Sequence, residues 1–379
     1  MNICHPFYNS FNELKDPRQA IHSFRHELMD ILLLTILAVI CGAETWTAVE
    51  KFGYAKKDFL KSFLSFPNGI PSHDVIGDLF ARIDPKAFQA CFLDWVNHLF
   101  QLSDGEVIAI DGKTLRGSYD NANNKAAIHM VNAWACRNRL VLGQLKTEDK
   151  SNEITAIPEL LKLLDLTDAT VTIDAMGCQK SIAKQIIDQG GKYVFNLKGN
   201  QSTLHKDVEC YFNILATGHM NDPRYDSIEI TDDHHGRLET RRYGITSHID
   251  WLHQKKDWDG LSSIGFVEYE QIDKASGERQ VERRFFITAL EAKAKPFSEA
   301  VRLHWGVENG LHWSLDVAFN EDACRVRKGH APENFAVIRQ IALNLLKQES
   351  SAKVGIKNKR LMAGWNHAYL AKVLMGSKK

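Results

Sequence analysis

Two aspartates each lie at the end of an apolar run that we predict to be a strand of a sheet. Asp111 closes the apolar run IAID, and Asp174 closes the run VTID. The carboxyl ends of strands in α/β sheets are where sites gather. Aspartate after a strand is also a common turn residue, so neither residue alone distinguishes a turn from a site.

A third carboxylate, Glu308, lies in the segment HWGVENGLHW, which we predict to be helical. At about 100° per residue, one side of that helix collects Phe297, Val301, Trp305, His312 and Leu315. Glu308 projects near the centre of this apolar arc, whereas Gly306 and Gly310 project away from it. A buried carboxylate persists only when it is paired, protonated or bound to metal, so a salt bridge to an inward Arg or Lys is the alternative to a site.

Three facing carboxylates would form an oxygen-rich pocket of the kind that hard cations such as Mg²⁺ prefer. Two such ions about 4 Å apart can activate a nucleophile and stabilise the leaving oxygen in phosphoryl transfer. The residues therefore predict a metal site at Asp111, Asp174 and Glu308, with Mg²⁺ as the cofactor and Mn²⁺ as a substitute. No organic cofactor is expected.

The composition sets limits on the class of protein. Lys+Arg and Asp+Glu are equal at 47 each in 379 residues, so net charge gives no nucleic-acid signature and any such surface must be local. The seven scattered cysteines form no CxxC pair, which indicates neither a zinc site nor a disulfide framework and favours a reducing, cytoplasmic setting. The apolar run 31–43 is shorter than the roughly 20 residues that span a bilayer, so we predict a buried core helix and no membrane association.

The order of elements predicts an α/β fold. Residues 1–103 carry helical periodicity, and a turn near FPNGIPSHD separates two helices that are either packing helices or a DNA-reading element. From residue 104 the pattern is β-β-β-α-β-α-β, which implies a mixed sheet. A β-rich insertion at about 203–290 comes next, with the hairpin EYEQIDKASGERQVERRFFIT. Helices continue to the end of the chain.

Several polar residues are candidates for contact with DNA: Lys113, Arg116, Lys198, Asn200, Arg237, Arg241, His304, His312, Arg325 and Arg327. Lys113 and Arg116 either contact phosphates beside the metals or lie in a solvated loop. Arg237, Glu239 and Arg241 share one strand face, where they either hold phosphates or form cross-strand salt bridges. The tail 347–379 has eight Lys/Arg and one acidic residue, and either binds phosphate or is a solubilising end.

Several long motifs resemble one family. These are IAIDGKTLRGS, KSNEITAIPELL, TIDAMGCQ, FNLKGNQ, HHGRLETRRY and HWGVENGLHWSLDVAFNEDACRVRKGHAPENFAVIRQIALNLL. They resemble the H-repeat-associated transposases of the ISAs-type insertion-sequence family, over nearly the whole chain. These belong to the DDE transposases, so the resemblance implies a ribonuclease-H-like core in which Asp111, Asp174 and Glu308 match the catalytic carboxylates in order.

The same resemblance implies partners and a setting. We expect metal-dependent cleavage and strand transfer on double-stranded DNA with terminal inverted repeats, by a homodimer associated with a bacterial nucleoid. Related cut-and-paste transposases carry Tyr, Arg and Lys around the glutamate, where this chain has Val301, His304 and Leu315. That departure bears on how the DNA end is handled. A nuclease of the same fold without strand transfer, and an inactive DNA-binding relic, are the alternatives.

Overall fold

The computed structural model describes residues 5–18, 25–99, 103–119, 126–147, 153–234 and 237–375. It contains a nine-stranded mixed sheet with helices before, between and after the strands. The mixed α/β class and the helical N-terminal region are therefore confirmed. The division into domains at residue 103 stays a prediction.

The first half of the sheet follows the predicted element order. Its strands and helices are β1 Val107–Leu115, β2 Ile128–Ala135, β3 Leu140–Lys146, α7 Glu153–Leu161, β4 Thr170–Ile173, α8 Lys180–Asp188 and β5 Lys192–Leu197. The spatial order is β3-β2-β1-β4-β5, with β1, β4 and β5 parallel and β2 antiparallel to both of its neighbours. The two faces of β4 are buried, as expected for parallel strands that helices cover.

The β-rich insertion extends this sheet instead of forming a separate one. After α9 Ser202–Ala216 come β6 Tyr225–His234, β7 Arg237–Thr246, β8 Ser263–Asp273 and β9 Arg279–Thr288. The four strands form an antiparallel meander, and β9 pairs antiparallel with β5. The predicted β8–β9 hairpin is confirmed, and Gly277 supplies the positive φ in its turn. The insertion is thus anchored to the strand next to Asp174.

In the described part of the N-terminal region the helices are α1 His5–Phe11, α2 Leu28–Ile40, α3 Trp46–Ala55, α4 Lys57–Leu60, α5 His73–Arg82 and α6 Pro85–Leu99. The apolar run predicted to be a core helix is α2, which is buried along its length. Ser72 caps α5 by accepting a hydrogen bond from the Val75 N–H, as predicted. Within the described part of the chain, no helix is long and apolar enough to cross a membrane.

The C-terminal region is helical as predicted, with α10 Ala294–His304, α11 Trp313–Phe319, α12 Ala331–Gln348, α13 Ile356–Trp365 and α14 His367–Met375. The central helix, α12, is buried on nearly all sides. Its polar residues bond to neighbouring elements: the Asn334 amide donates to the Phe80 and Ile83 carbonyls at the end of α5. α12 therefore joins the N-terminal helices to the sheet.

The tail is less available to DNA than its composition indicated. Lys359 donates to the Leu346 and Glu349 carbonyls, and Arg360 donates to the Val39 and Ala318 carbonyls, so both buried cations hold helices together. Lys347 lies over the Trp134 ring, and burial lowers its pKa to about 8. These three side chains fasten the C-terminal helices, because a buried cation requires partners.

Asn344 of α12 provides a test of how the exposed edge of the sheet is held. Its side chain accepts from the Val141 N–H at 2.8 Å and donates to the Val141 carbonyl at 2.9 Å. Asn344 therefore pairs both backbone polar groups of Val141 in the edge strand β3. Asn344→Leu leaves both buried groups unpaired, and at about 1–3 kcal/mol for each we expect the free energy of unfolding to fall by roughly 2–5 kcal/mol. Urea denaturation measures the loss, and Asn213→Leu, at an exposed site on α9, is the control. A loss as small as that of the control would show that Asn344 does not hold β3.

Candidate active site

Asp111 and Asp174 lie side by side at one edge of the β1–β4 pairing. The parallel register ends with Ile110 opposite Ile173, and the two aspartates are the next residues on their strands. Asp111 does not end its strand as predicted, because β1 continues to Leu115 on its pairing with β2. Asp174 follows β4 directly, and its carboxylate accepts from the Met176 N–H at 3.0 Å. The register thus places both carboxylates at the position where β4 stops.

Glu308 begins a π-helical turn, Glu308–His312, between α10 and α11. The prediction that Glu308 is buried in an apolar arc is wrong, since Glu308 is exposed and Trp305 is 49% exposed. Phe297, Val301 and Leu315 are buried as predicted. The projection fails because α10 ends at His304, so the spacing of about 100° per residue does not continue from Phe297 and Val301 to Glu308, where a π-helical turn begins.

Gly310 explains how the π-turn sits on the sheet. We predicted that this glycine points away, but a Cβ placed on it would lie 3.3 Å from the Trp134 ring of β2. Gly310 therefore faces the sheet, and the buried Trp134 side chain packs against its backbone. Glu308, two residues earlier, is exposed.

Two histidines, one helical turn either side of Glu308, contact the strands that carry the aspartates. His304 Nδ1 is 2.9 Å from the Thr172 hydroxyl of β4, and His312 Nδ1 is 3.5 Å from an Asp111 carboxylate oxygen. Burial lowers the pKa of each imidazole to about 4, so both are neutral at physiological pH. The predicted role in direct DNA contact is not supported for either residue, because both rings face the sheet.

The electrostatics around Asp111 fit a cation. Burial raises the pKa of Asp111 from 3.8 to about 7; the Gly112 N–H opposes the shift, while the charges of Glu153, Asp174 and Glu308 add to it. Among the described residues, no three acidic, histidine or cysteine side chains are close enough as they stand to hold a metal ion. Carboxylates that repel one another are nevertheless the donors that hard divalent ions bind. The donor chemistry of these carboxylates therefore fits Mg²⁺ or Mn²⁺.

Lys113 does not have the predicted role in phosphate contact. Its ammonium bonds to Asp316 and to Glu321, the latter at 2.8 Å, and its side chain is only 9% exposed. Burial lowers the pKa of Lys113, but the charges of Glu321 and Asp316 outweigh burial and raise it overall. Lys113 thus ties β1 to α11 and to the following turn, two residues from Asp111.

The two arginines of β7 that were predicted to contact DNA differ in their contacts. Arg241 donates to Asp232 across the β6–β7 hairpin at 3.0 Å and to Glu239 on its own strand at 2.6 Å, so it forms the cross-strand salt bridge that was the alternative. Arg237 is exposed at the first position of β7, near the tip of the same hairpin. Only Arg237 remains a candidate DNA contact here.

The remaining candidates differ in exposure and in their contacts. Lys198 is exposed directly after β5, while the Asn200 amide donates to the Ala175 carbonyl at 2.6 Å and so supports the loop after Asp174. Arg116 is 81% exposed, and its guanidinium is 3.4 Å from Asp322. Arg325 is also exposed.

Arg327 is partly committed to internal contacts. It donates to the Gly117 carbonyl at 3.2 Å and lies over the Tyr119 ring. The segment 116–118 packs against 321–324, since a Cβ on Gly117 would lie 2.3 Å from the Cys324 carbonyl oxygen. Arg116 and Arg325 therefore belong to one surface.

Two groups near the site were not identified from sequence. Glu153, in the first turn of α7, is the charge that raises the pKa of Asp111 most. Arg284 of β9 lies over the exposed Trp305 ring at 4.7 Å. Glutamate in a first helical turn is common, and arginine on a strand is often paired. Neither the residue type nor the spacing therefore identifies Glu153 or Arg284 as lying near the site.

With this geometry established, comparison with known proteins gives the class. Residues 102–345 match the family model described as "Transposase DDE domain", and residues 8–96 match the model described as "DDE_Tnp_1-associated". The chain belongs to the DDE transposase family, as its motifs predicted.

Its relatives include the H-repeat-associated proteins. It is 45% identical to the "H repeat-associated putative transposase YhhI" of Escherichia coli (strain K12), over 93% of each chain, and 44% identical to "Putative protein YbfL" of the same organism, over 96% of each chain. Among solved structures, a piggyBac transposase synaptic complex with hairpin DNA matches with a TM-score of 0.44 and 11% identity, over 99% of this chain and 81% of that one.

The raised pKa of Asp111 predicts a dependence of stability on pH. In the unfolded chain an aspartate ionises near pH 3.9, whereas in the fold Asp111 keeps its proton up to about pH 7. The fold therefore binds more protons, and the contribution of Asp111 to stability falls as pH rises from about 4 to about 7.

Asp111→Asn removes this loss. In chelator-treated buffer, we expect the free energy of unfolding of Asp111→Asn relative to wild type to increase by about 2–4 kcal/mol between pH 4 and pH 7, and then to level off. Chemical denaturation at a series of pH values measures the difference, and Asp58→Asn, at an exposed position, is the control. A pH-independent difference would show that Asp111 ionises normally in the fold.

Proposed function

We propose that this protein is an active transposase that cleaves the ends of an insertion sequence and joins them to target DNA. Asp111, Asp174 and Glu308 are the groups that bind the divalent ions. The observation that carries this proposal is that the charges of Glu153, Asp174 and Glu308 all raise the pKa of Asp111. Asp111 lies beside Asp174 at the end of the β1–β4 pairing. The order β3-β2-β1-β4-β5, with β2 antiparallel, supports a ribonuclease-H-like assignment for this half of the sheet.

The chain's own residues prepare the site. Mg²⁺, when bound, would supply a Lewis acid and lower the pKa of the attacking water. Asp111 and Asp174 would offer oxygens from adjacent strands, and Glu308 would add a third carboxylate from the π-turn. Neutral His312 and His304 pack beside the two aspartates and restrict their side chains without adding positive charge that would compete with a cation.

DNA is the partner that the surroundings favour. The exposed cations Arg116 and Arg325 lie on segments that pack together, and Lys198 follows β5, the neighbour of the strand that precedes Asp174. Phosphate contacts of this kind position a duplex without reading its sequence. Arg284 and the exposed Trp305 ring add a further surface beside Glu308. Two element ends must be processed together, so we propose a homodimer on DNA with terminal inverted repeats.

The carboxylates are tested one at a time. Asp111→Asn, Asp174→Asn and Glu308→Gln each remove one charge with little change in shape, and we expect each to abolish Mg²⁺-dependent cleavage of inverted-repeat DNA while binding changes less than about threefold. Cleavage on sequencing gels and gel-shift affinity give the two readouts. Glu299→Gln, an exposed carboxyl on α10 that pairs with Arg137, is the matched control. A variant of the three that cleaves at the wild-type rate would remove its residue from the site.

Strand transfer separates the alternatives. Supplied with pre-cut ends and a target plasmid, the wild-type protein is expected to give joined products and to form a complex that contains two ends and two protein chains. Cleavage without joining would indicate a nuclease of the same fold, and DNA binding without cleavage in Mg²⁺ or Mn²⁺ would indicate a relic. A monomer that processes paired ends would contradict the dimer.

A further inference from the structure

A pocket of about 490 Å³ opens in the N-terminal helical region and is lined by basic side chains. Arg18, Arg25, His26 and Lys57 line it, and none of the described residues that line it is acidic. The connecting residues 19–24, QAIHSF, lie outside the described part of the chain and contain no carboxyl side chain. The pocket is therefore a local concentration of positive charge in a chain whose formal net charge is zero.

The loop between α4 and α5 forms one side of this pocket and is held by hydrogen bonds. Asp30 of α2 is only 4% exposed, and its carboxylate accepts from the Phe66 N–H at 3.0 Å and from the Ser65 N–H at 3.4 Å. The Asn68 amide, which lines the pocket, donates to the Arg25 carbonyl at 2.8 Å. These contacts use the backbone of Ser65, Phe66 and Arg25, so a change of the Arg25 side chain leaves them in place.

The cations of the pocket differ in how far internal contacts neutralise them. Arg18 donates to Asp16 at 2.9 Å and to the His26 carbonyl at 2.8 Å, so it helps to shape the pocket. Arg25 and Lys57 are exposed, and neither forms an ion pair with a described residue. Like charges that share a pocket repel one another, and an anion between them relieves that repulsion.

His26 is a second, independent indication of a ligand. It lines the pocket and is only 7% exposed, yet its Nδ1 atom has no hydrogen-bond partner among the described residues. Buried nitrogen atoms in folded proteins are nearly always paired with protein, water or a ligand. Burial lowers the pKa of His26, and the charges of Arg25 and Arg18 lower it further against the opposing charge of Asp30. A neutral imidazole protonated at Nδ1 would donate a hydrogen bond to an anionic oxygen.

We propose that this pocket binds a phosphate group of the DNA backbone, with Arg25 and Lys57 supplying the charge and His26 a hydrogen bond. Guanidinium groups match the geometry of phosphate, and phosphate contacts position a duplex without reading its sequence. The proposal rests on the proposed function for the identity of the polymer. It also bears on the turn near FPNGIPSHD, because the helices around that turn would then hold the DNA backbone in addition to packing.

The salt dependence of DNA binding tests the pocket. The full chain is titrated into a labelled inverted-repeat duplex in chelating buffer at several KCl concentrations, and fluorescence anisotropy gives Kd. We expect Arg25→Gln and Lys57→Gln each to weaken binding by about three- to tenfold and to lower the salt slope by roughly one, because each removes one phosphate contact. Arg25→Lys keeps the charge and is expected to keep the slope.

Lys61→Gln is the matched control. Lys61 is an exposed lysine one helical turn after Lys57 and does not line the pocket. Its replacement should change the affinity by less than about twofold, because it removes no proposed phosphate contact. Thermal melting followed by circular dichroism checks the fold of each variant. If Arg25→Gln unfolds, Lys57→Gln, on a different segment, decides the test.

Inorganic phosphate separates the two sources of the phosphate group. If it raises the Tm of the wild-type chain but not of the Arg25→Gln, Lys57→Gln double variant, while both bind DNA alike, the ligand is a free phosphate compound and the DNA contact is overturned.

The remaining outcomes separate this inference from the proposed function. If the wild-type chain binds and cleaves inverted-repeat DNA and the pocket variants match its Kd and salt slope, the pocket contact is overturned and the proposed function stands. If binding depends on Arg25 and Lys57 but the wild-type chain neither cleaves nor joins DNA, the proposed catalysis fails and the pocket contact stands.

Discussion

The repulsion among carboxylates at the end of the β1–β4 pairing is the constraint on which the rest of the structure depends. Asp111 is held in a partly buried position with its pKa raised to about 7, and three further acidic groups contribute to the shift. Such a cluster destabilises the fold unless rigid neighbours hold it. Lys113, bound to Asp316 and Glu321, fixes the end of β1, and the two neutral histidines fix the strands from the helical side.

The π-helical turn that begins at Glu308 is the second feature that the cluster of carboxylates requires. An uninterrupted α-helix from α10 into α11 would keep Glu308 in the apolar stripe that Phe297 and Val301 bury. The extra residue lets Val307 and Leu311 stay buried while Glu308 faces outward. π-turns of this kind are frequent at functional sites. Gly310 lets the turn lie close to β2, because a Cβ at this position would come within 3.3 Å of the Trp134 ring.

The sequence predicted those parts of the fold that local patterns determine. Alternating and apolar runs predicted the order of elements along the chain, the β8–β9 hairpin and the buried helix α2, because periodicity reflects which face of an element is covered. The predicted orientation of Glu308 was wrong, because a change from α-helical to π-helical geometry cannot be recognised from the spacing of residues. Lys113 and Arg241 were assigned to DNA because their charge was visible, whereas their partners, Asp316 and Asp232, are brought to them by other elements. Glu153 was missed for the same reason, since only the fold brings α7 beneath Gly112.

A chain of buried polar contacts extends from the site to the N-terminal helices. Glu321, which accepts from Lys113, is also 3.7 Å from Arg339 of α12, and both side chains are almost fully buried. Arg339 lies over Phe335 of the same helix, whose ring contacts Trp46 of α3. Removing one partner of a buried ion pair costs about 3–5 kcal/mol, so these contacts act as a rigid connection. α12 therefore connects the N-terminal helices, through Asn334 and Phe335, with the ion pairs of Lys113, through Arg339.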